Sequence, residues 1–163
     1  PPWFEVYSAR SQPCKRAFMS IVKLSHIKKL FGGSALTRAE QKQLAKEVML
    51  MTLARATASD SNIKSIEVDK VREVLKERTG EKFTAANVRV AANSRLYEKA
   101  PFERYLHKCS RKLTAKDRTQ TLNALLEVIH ADDRVSDYEV TFFNHVARAL
   151  ELTPAQIAGL SAD

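Results

Sequence analysis

Apolar residues recur along almost this whole chain at spacings of three and four, and little interrupts them: 163 residues hold four glycines and five prolines. Such spacing places residues i, i+3, i+4 and i+7 on one face of a helix, and each face needs another to bury it. The segment AFMSIVKLSHIKKLF predicts a first helix with Phe18, Ile21, Val22, Leu24 and Phe31 near one side, ended by Gly32 and Gly33. Thr37 with Glu40 is a capping box that opens a second helix, and its stretch VMLMTLARATA is apolar almost all round, as a central helix must be. A third helix carries Ile66, Val71, Val74 and Leu75 and stops near Gly80. Thr84 opens a fourth, with Val88, Ala92 and Leu96 on one stripe. Pro101 begins a fifth, with Phe102, Leu106, Cys109 and Leu113 in line; proline suits a first helical turn. Thr114 with Asp117 opens a sixth, showing Leu122, Leu125, Leu126 and Ile129. Ser136 with Glu139 caps a seventh, which buries Phe142 or Phe143, Val146 and Leu150. Thr153, Pro154 and Gln156 start a short eighth, with Ile157 and Leu160 turned inward. The predicted fold class is all-α, a bundle of seven to eight helices in a single domain over residues 17–163, preceded by an arm over residues 1–16.

Charge is uneven along the chain. The net charge is +8, but residues 1–47 hold nine Lys/Arg against three Asp/Glu, and the remainder holds eighteen against sixteen. A nucleic-acid binder concentrates basic residues on a folded face. Here the excess lies on the arm and the first helix, so no nucleic-acid partner is expected. Lys23, Lys28 and Lys29 instead form a solvated face or, with Phe18, Ile21 and Phe31, a surface for an anionic membrane or a partner. No apolar run reaches the roughly 18 residues of a spanning helix. The chain opens PPWFEV without a methionine, which leaves room for an upstream anchor. The expected location is cytoplasmic, with the inner-membrane surface as the alternative. Cys14 and Cys109 form no CxxC pair, so they read as reduced thiols, and Cys109 as a buried small hydrophobe.

One motif occurs twice. SDSNIKSIEV from Ser59 aligns with ADDRVSDYEV from Ala131, pairing Asp60 with Asp132, Ile63 with Val135, Glu67 with Glu139 and Val68 with Val140. FTAANV from Phe83 then aligns with LTPAQI from Leu152. Apolar helices precede both, so the expected design is an internal helix-corner-helix repeat with halves at about 37–98 and 101–163. A calcium loop needs oxygen ligands at positions 1, 3, 5, 7, 9 and 12. With Glu139 at position 12, positions 1 and 3 fall on Val128 and His130; in the first copy they fall on Ala56 and Ala58. Neither corner makes a calcium loop alone. Two readings stay open: the acids cap their own corners, or Asp60, Glu67, Asp132 and Glu139 share one acidic pocket for a divalent cation, Ca²⁺ or Mg²⁺.

These corners resemble the ADGxVxxxE motif of the TerB-like (tellurite-resistance-associated) domain, which occurs twice in that family. The stretch from LYEKAPFERYLHKCS to ELTPAQI is similar to the family's second half, and the resemblance covers about Thr37 to Leu160. It implies an all-helical bundle of bacterial origin, linked to tellurite and other stress responses and without known enzymatic activity; the expected partners of this chain are proteins. It also implies a cation-binding role for Asp60, Glu67, Asp132 and Glu139. Ser61 and Asp133 replace the motif glycine, a departure at positions that favour residues tolerant of positive φ. A related helical domain occurs in a membrane-anchored J-domain co-chaperone, but no HPD tripeptide is present here. His130, Asp132 and Ser136 have neither a nucleophile elbow nor a glycine-rich oxyanion loop beside them, so no hydrolase and no other enzyme is expected. His107 and Cys109, two apart on a helix, point to different faces and cannot share a metal.

Overall fold

The computed structural model describes residues 35–58, 65–93, 101–131 and 134–160. They form seven α-helices and no strand: α1 Arg38–Thr57, α2 Ser65–Thr79, α3 Ala85–Ala92, α4 Phe102–Ser110, α5 Ala115–Ile129, α6 Asp137–Ala149 and α7 Pro154–Gly159. They correspond in order to the second through eighth predicted helices. The arm, the first predicted helix and Leu96 lie outside the described residues, as does the Ile66 side chain.

Five helices begin with the same device. Thr37, Thr84, Thr114, Ser136 and Thr153 each accept a hydrogen bond from the backbone N–H three residues on, and the side chain at that third position accepts one from the capping residue's own N–H. Two of the N–H groups orphaned at each helix start are thereby satisfied, which fixes where the helix begins. α4 has no such cap and starts after Pro101, whose missing N–H leaves one donor fewer to satisfy.

α1 is the axis of the bundle. Val48, Met51, Leu53 and Ala54 are fully enclosed, and Leu44, Met49 and Leu50 nearly so. α2, α3 and α5 pack most extensively around α1, and α4 and α6 also reach it. α5 supplies the opposing wall with Leu122, Ala124, Leu125 and Ile129. α4 and α6 lie side by side, with Phe102 stacked on Phe142 at a centroid distance of 5.9 Å. Of the two phenylalanines offered by the α6 sequence, Phe142 is the buried one and Phe143 is half-buried. Leu113 is buried as expected, although it falls in the turn after α4 rather than on the helix. α7 has no fully buried residue, and Ile157 and Leu160 pack only partly against the core.

The ends of α2 and α6 both use a left-handed residue. Gly80 has φ 72° and donates its N–H to the Lys76 carbonyl at 2.9 Å. Glu151 has φ 55°, flanked by Glu151 N–H to Arg148 O (3.0 Å) and Leu152 N–H to Ala147 O (3.1 Å). The latter pair is a Schellman motif, and Leu152 is buried beyond it.

Candidate functional site

The corner residues divide. Glu139 lies in the first turn of α6, where its Oε2 accepts hydrogen bonds from Ser136 N (2.7 Å) and Ser136 Oγ (2.8 Å). The capping role expected from the sequence is therefore present, and one carboxylate oxygen is committed to it. Glu67 lies in the first turn of α2, half-buried, where a negative charge favours the helix N-terminus. α2 and α6 each pack against α5. Asp60 and Asp132 lie outside the described residues, as do Ser61, Asp133 and the lysines Lys23, Lys28 and Lys29. Among the described residues no three His, Cys, Asp or Glu side chains form a metal-ligand group, and no helix is long and apolar enough to cross a membrane.

A second polar group sits in the core. Glu47, on α1, is 5% exposed, and its Oε1 makes no hydrogen bond. Burial raises its pKa from 4.5 to about 7, with the Tyr105 hydroxyl acting in the opposite direction. The Cys109 thiol, fully buried on α4, is pushed up to about 12, chiefly by burial and further by the Glu47 charge. The inert, buried cysteine expected from the sequence is what the fold contains. The buried acid was not expected. Its only signal is position, since Glu47 falls three residues after Leu44, three before Leu50 and four before Met51, on the apolar face of its helix.

The third group lies on the surface between α4 and α6. His145 Nδ1 is 3.0 Å from Glu103 Oε1, and His107 Nδ1 is 3.2 Å from Glu151 Oε1. Together with the Phe102–Phe142 stack, these contacts advance along both helices in the same sense, so α4 and α6 run in the same direction. His107 is exposed while Cys109 is buried, which confirms their opposite facing. No spacing in the sequence links Glu103 to His145 or His107 to Glu151; only the packing of the two helices does.

The class defined by these features is a small all-helical bundle with a buried central helix and capped, acid-bearing helix starts. The profile described as "Tellurite resistance protein TerB" matches residues 36–162, and the chain belongs to the TerB family. Neither the curated proteins nor the solved structures yield a match.

Proposed function

We propose that the chain is a non-enzymatic interaction module of the TerB family serving stress responses, whose acidic corners hold a divalent cation, Ca²⁺ or Mg²⁺. The supporting observation is the family match, which spans both corner motifs. Asp60, Glu67, Asp132 and Glu139 would supply an all-carboxylate donor set, the chemistry that hard cations prefer. Glu139 would enter through Oε1, because Oε2 is held by Ser136. Four carboxylates in one place repel each other, and a bound dication offsets that repulsion. The partners on this reading are proteins.

The test is a melting series with Ca²⁺, Mg²⁺, Mn²⁺ and Zn²⁺ on the wild type and on Asp60→Asn/Asp132→Asn. A cation bound only by the folded state contributes about 2.7 kcal/mol at a free concentration one hundred times its Kd. A wild-type shift no larger than that of the double variant sinks the cation reading. The competing reading, a peripheral membrane adaptor, is motivated by the basic excess in residues 1–47, including Lys23, Lys28 and Lys29. Co-sedimentation with anionic vesicles, with and without residues 1–33, separates the two. Vesicle binding that disappears with the truncation favours the adaptor, and no binding by either chain removes it.

A further inference from the structure

Between α4 and α6 lies an open cavity of about 300 Å³ lined by Glu103, Arg104, His107, His145, Arg148 and Ala149. We infer that this groove is a binding site for a tetrahedral oxyanion of the phosphate class, held between the guanidinium groups of Arg104 and Arg148.

The argument begins with how the charges are used. Both carboxylates beside the groove are engaged with histidines: Glu103 with His145, and Glu151 with His107. Glu151 also lies 4.0 Å from Arg118, which donates to the Leu150 carbonyl at 3.0 Å. Arg104 and Arg148, by contrast, make no side-chain hydrogen bond or ion pair with any described residue, yet they line the same cavity from adjacent helices. Glu103 lines the cavity as well, so its carboxylate offsets part of the guanidinium charge and leaves the groove net positive, which favours a bound anion. The planar fork of a guanidinium matches two oxygens of a phosphate, so two such forks and a small cavity fit one tetrahedral dianion.

The backbone supplies a separate observation. Glu151 occupies a left-handed conformation that suits glycine, and a non-glycine residue there costs on the order of 1 kcal/mol. A glycine would close the Schellman motif equally well but could not reach His107. The glutamate's side chain is therefore what the position gains, and that side chain fixes the imidazole beside the groove through Nδ1. Glu103 does the same for His145. With each Nδ1 engaged, Nε2 is the ring nitrogen left for a ligand.

The full chain is titrated with inorganic phosphate against chloride at constant ionic strength, followed by backbone amide shifts in α4 and α6 and by His Nε2 shifts. Phosphoserine is run in parallel, and whichever of the two binds more tightly tells whether the phosphate comes free or on an organic carrier. Saturable shifts with either one, lost at least tenfold in Arg104→Gln/Arg148→Gln and changed less than twofold in Lys76→Gln/Arg89→Gln, are the expected result. The control pair removes the same charge from exposed sites on α2 and α3. An equal response to chloride, an equal loss in both double variants, or Zn²⁺ binding at the histidines without any phosphate response would overturn the assignment. All four substituted residues are exposed, so a folding defect is not expected, and an unchanged melting curve checks this.

Discussion

The segment α1–α3 and the segment α5–α7 run through the same order of parts, a long helix, a capped or cornered second helix and a short third one, but they close differently. α3 packs against both α1 and α2 and buries Val88, Ala91 and Ala92. α7, opened by an equivalent capping box, buries none of its residues completely. The turns before the short helices also differ: Gly80 takes the left-handed position in one and Glu151 in the other. Matching caps thus produce matching helix starts, while the depth to which each helix is buried depends on what surrounds it. A capping box is a local instruction, satisfied within four residues. Burial depends on the whole bundle.

The comparison can be broken at its most expensive point first. Leu50→Ala in α1 and Leu122→Ala in α5 each remove a side chain that is essentially enclosed, and each is expected to cost about 2–5 kcal/mol in urea unfolding. Ile157→Ala in α7 should cost less than about 1.5 kcal/mol, because that side chain is only partly buried. Equal costs at all three positions would show that α7 is seated as deeply as the rest.

The next effect belongs to the first segment alone. Glu47 keeps its proton in the folded state up to about pH 7, whereas its ordinary value is 4.5. Between those values the folded chain binds more protons than the unfolded chain, so stability falls as pH rises. The contribution is fully present below about pH 4.5 and fully lost above about pH 7, and that interval corresponds to roughly 3 kcal/mol. Glu47→Gln should flatten this slope between pH 5 and 7 in chemical denaturation, leaving only the trend of the exposed groups. An unchanged slope would mean that the carboxyl is hydrated.

Smaller effects sharpen the contrast between the two turns. Gly80→Ala should destabilise by about 1 kcal/mol; there is space for the new Cβ, so the cost comes from the left-handed backbone. Glu151→Gly should do the reverse, stabilising by about 0.5 kcal/mol, since relief of backbone strain outweighs an exposed side-chain contact. A destabilised Glu151→Gly would show that the contacts to His107 and Arg118 carry more than surface pairs usually do. Ser136→Ala, which removes the Glu139 capping box, is expected to cost about 1 kcal/mol.

Much of the architecture was legible because helix starts and apolar stripes are written in neighbouring residues. Thr37 with Glu40 and Thr114 with Asp117 announce their helices, and the apolar run after Glu47 announces the central one. Membership of the TerB family followed from the corner motifs, and the family match bears it out. The candidate sites were less legible. Glu139 forms the capping box that its spacing from Ser136 predicts, whereas a shared cation pocket also needs Asp60 and Asp132, which lie outside the described residues. The His–Glu contacts were missed because they join residues more than forty positions apart, through two helices whose parallel course no local pattern specifies. The buried Glu47 was missed because one acidic residue among apolar ones looks the same whether it faces solvent or Tyr105. Its environment is set by α4, more than fifty residues downstream.

The enclosure of α1 has a consequence for how the molecule can be divided. Its surface is covered by helices drawn from both sides of the break between Asn93 and Pro101: α2 and α3 before it, α4, α5 and α6 after it. A fragment ending near Asn93 would leave Leu50 and Met51 without the walls that now shield them, and a fragment beginning at Pro101 would have no axis to assemble on. Mixed together, the two pieces should recover helicity that neither holds alone, much as a cut key turns only when both parts are in the lock.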